Sequence, residues 1–378
     1  MKGKTFLILL VAACVLAALT FLRFRDQNRT VDTNMGQKLF TDLPVNRVAS
    51  VSIADAENKV TLVKGDQAWQ VQERSGYPAD FGELRDTVVK LSRLKIGRSF
   101  TGSSDSLMRL SLLDPSSAEA RGKGTRMTLK DASGNVLADV IIGQTRKTDD
   151  GASGGQYLKK ADAETVFLVD GSFRFLKSAP ADWLKKEILD IKAEDIASVT
   201  CYAGDGPNPV YSLTRPEKGK APQLDPVPSG RKADSAKIDQ VFDALAPLTL
   251  DDVAATDKKP DTGAKRLVYR LYDGRQITLF PESDDKENYR VRVTAEDTAG
   301  PVPVADSAVS TSDDGDESKT ADMDAAEGKP DTDVPSVKTA ERINAEFSPW
   351  VFTLKKWQFD SLITQPDALL EIVKKESD

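Results

Sequence analysis

Between Thr5 and Leu22 the chain reads TFLILLVAACVLAALTFL, 18 positions without a charge. As an α-helix rising about 1.5 Å per residue, that run spans about 27 Å, close to the hydrocarbon thickness of a bilayer. A helix also closes its own backbone hydrogen bonds, which lipid demands. The stretch predicts a transmembrane anchor over 5–22, with an n-region at 1–4 and a polar tether at 23–44. Three readings fit it. Lys2 and Lys4 ahead of the run, with no A-x-A-like site before Arg23, fit an uncleaved signal anchor. Leu10-Val11-Ala12-Ala13-Cys14 fits a lipoprotein signal with Cys14 lipidated, although 15–22 stay apolar beyond it. Cys14 also fits as a small apolar residue of a membrane helix. The plain anchor is preferred.

Basic residues flank the run on both sides, so the positive-inside rule gives no orientation. The signal-like start places the chain in a bacterial inner membrane as a single-pass protein, its bulk facing the periplasm or cell exterior. Outside the anchor only Cys201 remains, so no intramolecular disulfide can form there.

Charge is unevenly spread. Residues 1–30 carry five basic and one acidic side chain, and residues 296–338 carry twelve acidic and three basic ones. With a total of −7, the remainder is −7 − 4 + 9 = −2. That near-neutral remainder has no basic stripe, which argues against a nucleic-acid partner. The chain contains no histidine. Ser-His-Asp and Cys-His catalysis and His-ligated metals are therefore ruled out, and neither a cofactor nor a small-molecule substrate is indicated.

From Val45 onward the pattern is α+β. Lys64-Gly65-Asp66-Gln67 joins VTLV to AWQV as a hairpin. Asp80 then stands as an N-cap before Phe81, Leu84, Val88, Leu91 and Leu94, one apolar helical stripe. Strand patterns follow at 126–131, 136–143, 156–160 and 165–170, and Phe173 to Leu184 reads as a short helical closing segment. The order then recurs: Ile196-Ala197-Ser198-Val199 echoes Val48-Ala49-Ser50-Val51, and Asp234 with Ile238, Val241, Phe242 and Leu245 echoes Asp80 and its stripe. Strand runs at 266–280, with Asp273-Gly274 as a type I′ turn, and at 288–293 follow, and 350–370, which resembles 165–184, completes the series. The reading is a tandem duplication of a hairpin-rich antiparallel sheet packed with an amphipathic helix, one copy at 45–190 and the other at 191–378. The second copy carries the acidic stretch 296–338 as an insertion with almost nothing apolar to bury, expected to be disordered.

Motifs that suggest chemistry fail on context. Gly151-Ala152-Ser153-Gly154-Gly155 matches G-x-S-x-G but follows RKTDD rather than an apolar strand, and no histidine exists to activate its serine. Ser92-Arg93-Leu94-Lys95 lies on the helix, and Asp313 to Glu317 lacks the alternating carboxylates of a calcium loop. Trp69, Trp183, Trp350 and Trp357 are candidates for an interaction surface, with hairpin and helix core as the plainer reading.

The anchor, then Val48, Val51 and Ile53, then Leu62 and Lys64, Trp69 and Val71, Asp80 and the leucine-spaced helix resemble a domain-of-unknown-function family of bacterial membrane-anchored proteins. Its members commonly accompany gliding-motility-type ABC transporter components. The resemblance implies an extracytoplasmic, non-catalytic accessory protein with a membrane or envelope partner, and it carries over no catalytic residue. The alternative is a carboxylate-dependent envelope hydrolase.

Overall fold

The structure is a computed structural model describing residues 34–147, 153–204, 206–261, 263–284, 287–298 and 339–371. The anchor at 5–22, Cys14 and residues 299–338 of the acidic stretch lie outside the described residues. Among the described residues no helix is long and apolar enough to cross a membrane. The chain divides into two compact units, residues 1–185 and 186–378. Both are α+β and rich in antiparallel sheet, with few helices.

The first unit holds β1 (Val48–Ala54), β2 (Lys59–Lys64), β3 (Trp69–Val71), β4 (Tyr77–Pro78), α1 (Phe81–Arg93), β5 (Ile96–Thr101), α2 (Ser104–Arg109), β6 (Thr125–Asp131), β7 (Val136–Lys147), β8 (Ser153–Lys160) and β9 (Thr165–Val169). The nine strands form one sheet in the order β4-β3-β2-β1-β6-β7-β8-β9-β5. Alternation decides its faces. Val51, Ile53, Val60, Leu62, Met127, Leu129 and Val140 are fully buried on one side with Leu84, Val88 and Leu91 of α1. Ser50, Ser52, Thr61 and Thr128 point to the other side, which is polar except where Leu112, Ile141 and Val166 pack with Phe100, Leu107 and Tyr157.

Local chemistry accounts for the helix. The Asp80 carboxylate accepts from the Glu83 amide at 3.1 Å, as its N-cap position requires. The helix ends at Leu94 and the chain turns directly into β5. One stripe residue departs from the expectation: Phe81 is 55% exposed, because it opens the helix at the sheet's margin. The closing segment is also shorter than expected. Its helix is a single 3-10 turn, Pro180–Trp183, after which Leu184 bridges Ala79 and the Trp183 carbonyl accepts from the Asp80 amide at 2.8 Å.

The second unit holds β10 (Glu187–Leu189), β11 (Ile196–Tyr202), β12 (Tyr211–Thr214), β13 (Gln223–Asp225), α3 (Ser235–Phe242), β14 (Leu248–Thr249), β15 (Asp252–Ala255), β16 (Arg266–Leu271), β17 (Arg275–Ser283), β18 (Tyr289–Asp297), α4 (Ala340–Phe347), β19 (Trp350–Thr353) and α5 (Lys356–Leu362). Its main sheet runs β13-β12-β11-β16-β17-β18-β19-β15, and β10 pairs with β14 separately. Helix α4, not foreseen in the sequence, is capped by Thr339 and fixed by Asn344, whose amide both donates to and accepts from the Ala295 backbone at 2.7 and 2.8 Å. The Asp273-Gly274 turn is not type I′. Gly274 has φ of +87°, but Asp273 keeps negative φ, and a type I′ turn needs both positive.

Candidate functional site

In the first unit the β2–β3 hairpin, residues 45–48 and the first turns of α1 enclose an apolar cleft of about 540 Å³. The hairpin is held by the Gly65 amide donating to Ala68 O at 2.9 Å, and Ala79 N donates to Trp69 O at 2.7 Å. Leu84 and Val88 lie buried in its floor, Trp69 is half-buried in its wall, and Phe81 and Val45 stand exposed at its mouth. Its charged members, Lys64, Asp66 and Arg85, sit at exposed positions. Such a lining can hold an apolar group; it places no buried acid–base pair around it.

The polar face of the same sheet carries a groove of about 710 Å³. Arg126 dominates it, donating from Nε and Nη2 to Asp139 at 2.9 and 2.6 Å and from Nη1 to Asp114 at 2.8 Å. Thr128 adds a hydroxyl bond to Asp139 at 3.0 Å. Partial burial alone would raise the Asp114 carboxyl, but the Ser116 hydroxyl and amide and the Arg126 charge bring it below the usual carboxylate range. The bonds to Asp139 in turn hold the guanidinium protonated more firmly than usual. A glycosidase acid requires the opposite shift from that of Asp114.

The other sequence candidates scatter. Trp183 is wholly buried and donates Nε1–H to Lys177 O at 3.1 Å. In the second unit Trp350 is half-buried on β19 and Trp357 is 68% exposed on α5. Ser92 donates its hydroxyl to Val89 O at 2.7 Å, back into its own helix. Cys201 is buried beside Tyr211 and Tyr269, and desolvation pushes its thiol up, away from the reactive thiolate. No group of three metal-ligating side chains occurs among the described residues. Sequence reasoning singled out Trp69 but not the cleft around it; the available signal was Phe81, an aromatic at the first helical position beside a tryptophan hairpin.

These carboxylates fix the response to acid. Burial pushes Asp55, Asp114 and Asp273 up, but hydrogen bonds from Ser178, Ser116 and Arg275 among others outweigh it. Those from Asn135 act on Asp131, so all four titrate below the ordinary value in the folded chain. A folded value below the unfolded one adds stability above the unfolded pKa and loses it as pH falls through the folded one. With no histidine, no side chain of ordinary pKa titrates between about pH 5 and 8. Urea midpoints should therefore be flat across that range and drop below about pH 4. A midpoint unchanged down to about pH 2.5 would contradict these assignments.

A family model described as Domain of unknown function (DUF4340) matches residues 69–266. That span covers the end of the hairpin, the cleft helix, the Asp114, Arg126 and Asp139 side of the polar groove and the first strands of the second unit. No curated protein and no solved structure matches the chain.

Proposed function

The chain belongs to the family described as Domain of unknown function (DUF4340), and from that premise we propose that it is a membrane-anchored, extracytoplasmic, non-catalytic binding protein whose contact surface is the cleft at Trp69. One observation carries the reading. The cleft joins an exposed Phe81 and a half-buried Trp69 to an aliphatic floor, a composition suited to docking an apolar group rather than moving protons. The anchor at 5–22 and the resemblance to proteins that accompany ABC transporter components make an inner-membrane or envelope assembly the partner class.

We also propose that the two units are copies of one module, and four correspondences support this. Strand order agrees from β3-β2-β1-β6-β7-β8-β9-β5 to β13-β12-β11-β16-β17-β18-β19-β15. The β1–β6 register slips between Val48 and Ser50, and the β11–β16 register slips between Ile196 and Ser198. Asp80 and Asp234 cap the two helices. Bridges Ala79–Leu184 and Ala233–Leu370 close each unit in the same way.

Envelope hydrolysis, the competing reading, has less support: in the Asp114–Arg126–Asp139 groove one guanidinium is ion-paired to both carboxylates, and Asp114 is held below the usual carboxylate range. The accessory reading is tested by cross-linking in intact membranes followed by purification of the full chain. Recovery with a transporter or envelope component is expected. Recovery of the protein alone, after efficient cross-linking, would contradict it.

A further inference from the structure

We propose that the cleft at Trp69 takes an acyl chain of a membrane phospholipid. Four observations meet there. The cleft's volume of about 540 Å³ falls within the range of small-molecule sites. Its walls are aliphatic and aromatic throughout their depth: Val48, Leu84 and Val88 inside, Trp69 alongside, Val45 and Phe81 at the mouth. Its polar side chains, Asn46, Lys64, Asp66, Gln67 and Arg85, are all exposed, as at a rim, and Arg85 is ion-paired with Asp86. An apolar interior with a charged rim fits an amphiphile, tail inward and headgroup outward.

The fourth observation is where the chain leads. This inference rests on the anchored reading above, in which 5–22 lies in the bilayer. Eleven residues, 23–33, then connect it to Asn34. Fully extended, they reach no more than about 40 Å. From Asn34 the chain runs past the end of α1, with Gly36 N donating to Ile96 O at 2.7 Å and Leu39 N to Leu94 O at 2.8 Å. It then supplies Val45 and Val48 to the cleft itself. The cleft wall at Val45 thus follows the tether after one short docked segment, 34–44, and is kept within reach of the lipid that would fill it.

Trp69 gives the readout. The full chain is reconstituted into nanodiscs of phosphatidylglycerol and phosphatidylethanolamine whose acyl chains are brominated, and tryptophan emission is compared with that in unbrominated discs. Bromines entering the cleft should quench the Trp69 share of the emission. Trp69→Phe should abolish that component, and Phe81→Asp, a change at an exposed position that leaves the core intact, should weaken it several-fold. The same quenching in wild type and Trp69→Phe would overturn the proposal, since it would come from another tryptophan. Absence of quenching in discs that co-elute with the protein would also overturn it, in favour of a protein occupant. Elution of the protein apart from the discs would instead refute the anchoring, and with it the bilayer as the source of the acyl chain.

Discussion

Trp183→Ala should destabilise the first unit by about 3–5 kcal/mol, the usual cost of emptying a fully packed aromatic site. Trp183 has no exposed surface, and its indole N–H is bonded to Lys177 O, so truncation leaves both a void and an orphaned carbonyl. Its backbone is also structural. Asp80 N donates to Trp183 O, and Lys185 N donates to Pro78 O, so the segment closes the sheet beside the cap of α1. A domain stable by about 5–15 kcal/mol would lose a large part of that margin. Urea unfolding of the full chain, with hydrogen exchange read separately over the first unit, should show the loss there. A change below about 1 kcal/mol would mean that the site is not packed as described.

Gly155→Ala should cost nearly as much, for a different reason. Gly155 lies inside β8 with φ of +100°, where any other L-residue is strained. A β-carbon there would also collide with the carbonyl oxygen of Val169 on neighbouring β9. That oxygen belongs to backbone and cannot swing aside as a side chain could. The strain alone is worth about 1–3 kcal/mol, and the collision adds to it. Gly134→Ala is the matched control, since Gly134 also has positive φ, +83°, but nothing within 4 Å of the added carbon. Thermal unfolding of both variants should place Gly155→Ala well below Gly134→Ala. Equal losses would assign the whole effect to φ and none to the close approach.

The same two positions show how much of the molecule could be read in advance. Short-range signals were legible: the Lys64–Gln67 turn, the Asp80 cap and the spacing of Leu84, Val88 and Leu91 all describe interactions within a few residues. Long-range ones were not. Trp69 and Trp183 are the same residue type in similarly mixed polar and apolar sequence, and only the fold sends one to a cleft wall and the other to the core. The strand pattern in the sequence starts at 156, yet Gly155 already lies within β8, at a point where β9 passes too close for a side chain. Helix α4 was hidden by its setting, with Ile343 and Phe347 as its only large apolar residues, directly after an acidic stretch. The cleft itself has no periodicity to announce it. It exists where a hairpin from one stretch meets a helix from another.

The central claim is that the chain works by contact through the Trp69 cleft. Photo-cross-linking of the full chain in native membranes tests it most directly, with a benzophenone amino acid in place of Phe81 at the cleft mouth or of Val136. Val136 is similarly exposed, at 57%, but lies at the polar groove. The account predicts adducts, with lipid or protein, from position 81 and few from position 136. Adducts from 136 with none from 81 would contradict it.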